Sequence, residues 1–350
     1  MVEHYIGVDL HKAFFQACAV DPFGQRCWED RFPTTAAGIG AFLSRTARNV
    51  AVAVEASGPT WTFVDQLQGR LARVVVVDAA KTRWKAGYAA KTDRLDARRL
   101  ADALRRDSVA AIYDPPPPIR ELRELCRLRR NLVRTATGLK HRLHALLLRQ
   151  GVVAPMTSSL WHGRGARWVA TLTLPGRAGE SLVSLRQVLA DVTDQVDVVE
   201  AEVVREASRD PIVLALQQLP GIGPVLGLTI RAEIGEITRF PDPPHLASYA
   251  GVVPRVSQSG LRRARTGPIT KQGSPWLRWA LIEAAIHGVN RPDAIGRWAR
   301  RLAVHKGGLK TRVAIARTLC AEIFATWPRT SALTASEVER LMTPTEGVPL

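Results

Sequence analysis

Short apolar segments alternate with amphipathic helical patterns over the first third of the chain. The apolar segments, which predict strands, lie at about residues 4–9, 14–20, 50–55 and 73–78, with a more polar one near 27–32. Patterns with the period of a helix lie near residues 35–47, 60–71 and 93–106. A strand meander followed by strand–helix units predicts a mixed sheet covered by helices.

This α/β order, over residues 1–112, is the plan of an RNase H-type domain. A Rossmann fold would also alternate strands and helices. Its glycine-rich phosphate loop is missing, because no GxGxxG follows the first strand and Asp9 stands there instead. The sequence therefore favours the RNase H-type plan.

The pattern changes at a run of four prolines, Pro115–Pro118, which predicts a stiff extended spacer. A long, arginine-rich helix is predicted from Ile119 to Gln150, and a second helix with an acidic outer face follows a Gly/Pro-rich stretch. The second helix keeps a heptad seam made of Leu185, Leu189, Val192, Val196, Val199 and Val203. These helices are expected to pair within one chain or to form a coiled-coil bundle between chains, and the pattern does not choose between the two.

A third, mostly helical region begins with the string Leu219–Pro224. Gly221 and Gly223 predict a tight turn whose backbone N–H groups can approach a phosphate. With the helical pattern after it, the segment is similar to a helix-hairpin-helix motif. The alternative is an ordinary turn between helices. Trp276 and Trp279, which share a helix face, are expected to lie in the core.

The balance of charge indicates a polyanionic partner. The chain carries 49 Lys and Arg against 32 Asp and Glu, a formal charge of +17, and residues 251–312 alone hold 13 basic residues against two acidic ones. No apolar run is long enough to span a bilayer, and the first residues resemble a strand rather than a signal peptide. Four scattered cysteines predict a reducing, cytoplasmic location and no structural zinc.

Four acids stand where an RNase H-type nuclease would hold metal ions. Asp9 and Glu55 end predicted strands, and the spacing of Asp93 and Asp96 puts both on one face of a helix. Oxygen ligands suit Mg²⁺, and a pair of bridged ions suits in-line attack at a phosphodiester. Each acid alone is more often ordinary surface, and Asp9 is the strongest candidate. Asp78 and Asp102 are weaker candidates than these four, and a supporting role is left open for Asp78 because it also follows an apolar strand.

Five motifs, in order, resemble the DEDD transposases of the insertion-sequence one-ten family. They are Gly7–Lys12, Val54–Gly58, Lys91–Ala97, Leu219–Pro224 and Ser259–Gly260. The resemblance covers residues 4 to 325. It implies a RuvC-like N-terminal domain, a helical linker used in oligomerisation, as a dimer or tetramer, and a C-terminal domain with a catalytic serine. It also implies donor and target DNA as substrates, and a structured noncoding (bridge) RNA as guide.

The resemblance assigns a role to individual residues. Asp9, Glu55, Asp93 and Asp96 would hold Mg²⁺, as two ions, and Ser259 would be the nucleophile, with Ser257 as the alternative. The basic residues expected to contact phosphates are Arg255, Arg262, Arg263, Arg265 and Lys271, beside the turn glycines. We expect one composite site to which both domains contribute residues.

The predicted organisation has four parts: a nuclease domain over residues 1–112, a hinge and helical linker over 113–210, a transposase domain over 211–330 and a tail over 331–350. The leading hypothesis is an RNA-guided DNA recombinase. One alternative is a metal-dependent Holliday-junction nuclease that uses water in place of the serine. The other is a nucleic-acid-binding protein whose nuclease fold has lost activity.

Overall fold

The computed structural model of the chain divides into two compact units, Met1–Pro115 and Pro116–Leu350. The structure describes residues 2–78, 92–154, 159–257 and 265–331, the last four as backbone only. The division falls inside the run of four prolines. Only the first two of them precede the long helix, because Pro117 and Pro118 form its first turn, two residues earlier than the predicted start at Ile119, and a proline there has no backbone donor to lose.

The first unit is a five-stranded mixed sheet with three helices. Its elements are β1 (His4–Leu10), β2 (Phe14–Val20), β3 (Arg26–Pro33), α1 (Ala36–Arg45), β4 (Val50–Glu55), α2 (Thr60–Leu67), β5 (Arg73–Val77) and α3 (Asp93–Arg105). The strand order is β3-β2-β1-β4-β5, with β1, β2 and β3 antiparallel and β1, β4 and β5 parallel. The predicted meander, parallel strands and helices are confirmed.

The two faces of this sheet are covered by different helices. Alternate residues of the strands, among them Val8 and Val54, pack against α1 and α2 on one face. On the other face Ala53 packs against Leu100 of α3. Gly7 lets α3 lie directly on β1, because a Cβ at this position would be 2.0 Å from the Ala97 carbonyl oxygen. The first turn of α3 is thereby held near the end of β1.

The second unit is mostly helical. Its elements are α4 (Pro117–Arg149), α5 (Gly163–Thr171), α6 (Gly176–Arg209), α7 (Pro211–Leu216), α8 (Pro224–Ile234), a 3-10 turn (Ile237–Arg239), α9 (Pro243–Ala250), β6 (Pro254–Ser257), β7 (Arg265–Ile269), α10 (Pro275–Ala284), a second 3-10 segment (Ala285–Asn290), α11 (Ala294–Lys306) and α12 (Gly308–Ser331). Among the described residues, none of the helices combines the length and the apolar character needed to cross a bilayer.

The two long helices pack against each other as an antiparallel pair within the chain. Cys126, near the start of α4, is buried with Val203 near the end of α6, and Leu143 is buried with Leu182 at the opposite end. The intramolecular alternative predicted from the sequence is therefore present in the fold. An assembly between chains through the remaining seam stays a prediction.

The core of the C-terminal helices is built around α12. Ile315, Leu319 and Ile323 of this helix lie in one buried cluster with Ile230 of α8 and Leu281 of α10. Trp279 packs against the same cluster, as expected from its place on a helix face. Trp276, predicted as core with it, is half-buried outside this cluster, with Arg127 and Arg130 over its ring. β6 and β7 form a separate antiparallel hairpin that stands largely exposed.

Candidate functional site

Asp9 and Glu55 lie side by side at the ends of neighbouring parallel strands. In the register between β1 and β4, Gly7 pairs with Ala53 and Val8 with Val54. The next residues along are the two acids. Since side chains alternate along a strand, Asp9 and Glu55 share the face on which Gly7 and Ala53 meet α3. The sheet therefore presents both carboxylates to the same helix.

The first turn of α3 carries the other two acids. Its N-cap is Thr92, whose hydroxyl oxygen accepts a hydrogen bond from the Leu95 N–H. Asp93 and Asp96 follow within that turn, and the partial positive charge of a helix N-terminus favours acids there. The Asp96 carboxylate is held by Arg99 at 3.4 Å.

His11, which the sequence analysis did not single out as a site residue, stands between two of the acids. Its Nε2 atom is 3.3 Å from Asp9 Oδ2 and 3.6 Å from Asp93 Oδ2. One ligand atom from each of Asp9, His11 and Asp93 lies within 4.8 Å of the others. The Nε2 atom is shielded from solvent, yet it meets no hydrogen-bond partner of suitable geometry among the described residues.

This donor set fits a divalent cation. Two carboxylate oxygens and the imidazole Nε2 atom of His11 lie within one small space, and such a mixture of ligands accepts Mg²⁺ or Mn²⁺. Burial raises the pKa of the Asp9 carboxyl, His11 lowers it, and the charges of Asp93 and Asp96 raise it again. The Asp9 carboxyl, whose pKa is raised, therefore resists ionisation until a positive charge joins it.

The remaining N-terminal acids fall in different places. Asp78 follows β5, and its N–H donates to the Ala110 carbonyl. Asp102 lies two turns beyond the cluster on α3 and pairs with Arg105 and Arg106, each at 2.7 Å. Asp102 is thus engaged with arginines and takes no part in the cluster.

The turn predicted to bind phosphate lies between α7 and α8. Gly221 has φ +90, and a Cβ there would be 2.3 Å from the Ala284 carbonyl oxygen, so the turn is fitted closely against α10. Gly223 is exposed, caps α8 and has open space around its Cα. The buried Ile222 between them anchors the turn. The Gly223 end of the turn, where α8 begins, is open to a ligand.

The basic hairpin carries the described part of the predicted serine region. Ser257 and Arg255 are exposed on β6, and Ser257 pairs with Arg265 of β7. Lys271, exposed and with φ +56, donates its N–H to the Gly251 carbonyl at the base of the hairpin. Ser259, Gly260, Arg262 and Arg263 lie outside the described residues.

A buried ion pair beneath this hairpin was not predicted from the sequence. Glu233 of α8, 2% exposed, accepts two hydrogen bonds from Arg127 of α4 at 2.8 and 3.0 Å. Its other carboxylate oxygen accepts from the Ser274 hydroxyl at 2.8 Å. Ser274 caps α10, and its N–H donates to the Tyr249 carbonyl. The pair therefore ties α4 and α8 to the chain that leaves the hairpin.

Arg127→Ala is expected to destabilise the protein by about 2–4 kcal/mol, because the buried Glu233 carboxylate keeps only its serine donor. Urea unfolding measures the change. Arg142→Ala, an exposed change on the same helix, is the control and should cost less than about 0.5 kcal/mol. In a Glu233→Gln background the same Arg127→Ala change should cost clearly less, and an undiminished cost there would contradict the role of the pair.

Two family models match the chain. Residues 6–150 match one described as "Transposase". Residues 214–299 match one described as "Transposase IS116/IS110/IS902 family". The first match holds β1, α3 and the four acids, and the second holds the Gly221 turn and the basic hairpin.

Three relatives extend this similarity. A Coxiella burnetii protein named "Transposase for insertion sequence element IS1111A" is 25% identical over 89% of this chain and 86% of its own length. A Pseudomonas aeruginosa protein named "Probable family 20 transposase" is 27% identical over 89% of this chain and 93% of its own. The "Pilin gene-inverting protein" of Moraxella bovis is 35% identical over 29% of this chain and 31% of its own.

Proposed function

Because the chain belongs to the IS110 family of DEDD transposases, we propose that it moves an insertion element by serine-dependent strand exchange with the help of a metal-binding acid site. The observation that carries this proposal is the convergence of Asp9, His11 and Asp93 where β1 ends beneath α3. The strand order β3-β2-β1-β4-β5 supports a RuvC-like fold for this unit.

The acid site would hold a divalent metal, Mg²⁺ as one or two ions. Asp9 and Asp93 would supply carboxylate oxygens and His11 a nitrogen, and these three lie within ligand distance of one another. Glu55, beside Asp9 in the sheet, and Asp96, in the first turn of α3, lie outside that cluster and would complete the site when a metal binds. When bound there, a divalent metal would supply positive charge to the oxygens of a phosphodiester. The fold holds these ligands in position. The β1–β4 register places Asp9 beside Glu55, and the close contact at Gly7 brings α3, with Asp93 and Asp96, to them.

Ser259 is the nucleophile of the proposed reaction. Its hydroxyl oxygen attacks a DNA phosphorus, and the bond from that phosphorus to one deoxyribose oxygen breaks. The phosphodiester energy is kept in a serine–DNA ester, so a second strand can attack the ester and be joined without ATP. The relative named for gene inversion fits this kind of chemistry, because inversion cuts and rejoins DNA.

Basic residues of the second unit hold the DNA and a structured guide RNA. Arg255, Arg265 and Lys271 are exposed on or beside the hairpin, and Arg262 and Arg263 stand in the sequence beside Ser259. Guanidinium groups suit phosphate oxygens. The Gly223 end of the turn offers backbone N–H groups at the start of α8, as in a helix-hairpin-helix motif.

The organisation of the chain belongs to the same proposal. Residues 113–210 form the helical linker and 211–330 the transposase domain. The surface of α6 that does not pack against α4 joins protomers into a dimer or tetramer. Its exposed apolar residues include Val183, Val188 and Val198.

Binding to DNA is expected to weaken steeply with salt, because the chain carries a formal charge of +17 and its basic residues release counterions from phosphates. If six or more phosphates are contacted, affinity should fall by roughly a thousandfold between about 50 and 200 mM salt. Fluorescence anisotropy with a labelled duplex measures it. A flat dependence over that range would contradict the phosphate contacts.

A recombination assay tests the proposed function as a whole. Cells carry donor and target plasmids, the gene for the chain and the element's flanking noncoding DNA, and junctions are detected by amplification across donor and target. Junctions should appear with the complete set and disappear when the flanking noncoding segment is removed. Junctions that persist without that segment would refute the RNA guide alone, and no junctions with the complete set would refute the recombinase.

A further inference from the structure

The outward face of α3 is rich in arginine. Arg94, Arg98 and Arg105 recur there at helical spacing, with Arg99 and Arg106 beside them. Arg98 is exposed and forms no ion pair within the described part of the chain. Asp102, in the middle of this face, positions Arg105 through two hydrogen bonds of 2.7 and 3.0 Å. The face keeps a net positive charge and holds one of its guanidinium groups in a fixed place.

An exposed aromatic ring stands next to these arginines. Phe23 lies in the turn between β2 and β3 and is 87% exposed. The turn is rigid, because the Asp21 carboxylate accepts from the N–H groups of Phe23 at 2.9 Å and Gln25 at 2.8 Å. A second pair of backbone hydrogen bonds, from Asp21 to Gln25 and from Gly24 to Asp21, closes the turn. The ring is thus presented to solvent on a fixed base.

The turn and the helix are joined into one surface. Arg105 donates to the Pro22 carbonyl at 3.3 Å while it holds Asp102. Phe23, Arg98 and Arg105 line the same shallow cavity of about 400 Å³. An aromatic face between guanidinium groups is the arrangement that binds unpaired bases, since the ring stacks on a base and the arginines take the phosphates.

We propose that this surface, the Phe23–Arg98–Arg105 platform, binds a single strand of DNA that continues from the acid site. The inference rests on the proposed function, because α3 begins with Asp93 and Asp96 of that site and carries the arginines further along. At 1.5 Å per residue, Arg105 lies roughly 18 Å along the helix axis from Asp93, a distance of a few nucleotides. A duplex hides its base faces, so an exposed ring selects an unpaired strand.

Binding of a fluorescein-labelled oligothymidine to the full-length chain, followed by anisotropy in EDTA, tests the platform. Phe23→Ala should lower affinity by about fivefold or more, the scale of base stacking on one ring. Phe23→Trp should restore it, and Arg98→Gln should lower it by about two- to fivefold. The matched control is Arg70→Gln, an exposed arginine between α2 and β5, which should change affinity by less than about twofold.

The same variants with a blunt duplex complete the test. Phe23→Ala should bind duplex as the wild type does. Unchanged binding of the oligothymidine by Phe23→Ala would overturn the platform, and an equal loss with duplex would overturn its selectivity for a single strand. Strand cleavage by Asp9→Asn is measured separately: if it persists, the proposed function fails, while the platform is still judged by binding alone.

Discussion

Asp9→Asn should abolish excision and joining of DNA, lowering the rate by roughly a hundredfold or more, because the site loses a charged ligand at its centre. The isosteric amide keeps the shape of the side chain and one oxygen, but it carries no charge. Its neighbours His11 and Asp93 would remain in place. The measurement is junction formation in the recombination assay, with strand cleavage by purified protein as a second readout.

Stability separates loss of chemistry from loss of fold. The Asp9 carboxyl has a raised pKa in the folded chain, so the folded state holds its proton more tightly than the unfolded state does. Without metal, this carboxyl makes stability fall as pH rises from its ordinary pKa through the raised one. Asp9→Asn removes that cost. At neutral pH in EDTA its melting temperature should equal or exceed that of the wild type.

A matched variant tests whether these effects are specific to Asp9. Asp65→Asn changes an exposed carboxyl on α2 in the same isosteric way and should recombine normally. Divalent cations should raise the melting temperature of the wild type and of Asp65→Asn, and should raise that of Asp9→Asn much less. Wild-type recombination by Asp9→Asn would remove the acid site from the mechanism. A melting temperature well below the wild type in EDTA would show a structural role instead.

Much of the first unit follows from its sequence, because its signals are local. Short continuous apolar runs define β1 and β4, and the end of each run marks the positions of Asp9 and Glu55. Thr92 and the acids after it mark the start of α3. The close crossing of α3 over Gly7 could not be predicted, because it is a contact between distant segments. A glycine in the sequence does not indicate which segment packs against it.

The sequence did not reveal the roles of His11 and Glu233, because both depend on contacts between distant segments. His11 lies two residues past Asp9, beyond the apolar run, and only the fold brings Asp93 to its other side. Glu233 lies in a mostly apolar helix two residues after Arg231, where a charge resembles a surface position, and its partner Arg127 is 106 residues away. β6 and β7 were also not predicted. Both are short and largely exposed and contain Pro or Gly, so the apolar alternation of a strand is weak.

Ser259→Ala should abolish strand exchange, by a factor on the order of 10³ or more, the scale found when a nucleophile is removed from a serine enzyme. Ser257→Ala should remain active. Ser257 lies in the β6–β7 ladder opposite Arg265, whereas Ser259 follows in the segment that joins the two strands in sequence. The two serines are two residues apart, so each change is the other's matched control.

A covalent adduct distinguishes the serine from a water nucleophile. Wild type and Ser257→Ala, stopped with denaturant during reaction, should carry labelled DNA through a denaturing gel, and Ser259→Ala should carry none. Asp9→Asn should also lack the adduct if the acid site acts before the ester forms. If Ser259→Ala recombines while Asp9→Asn does not, the chemistry belongs to the acid site alone and the chain acts as a metal-dependent junction nuclease. If only Ser257→Ala fails, the nucleophile is the serine on β6 itself, where the Arg265 pairing would place it beside a phosphate-binding guanidinium.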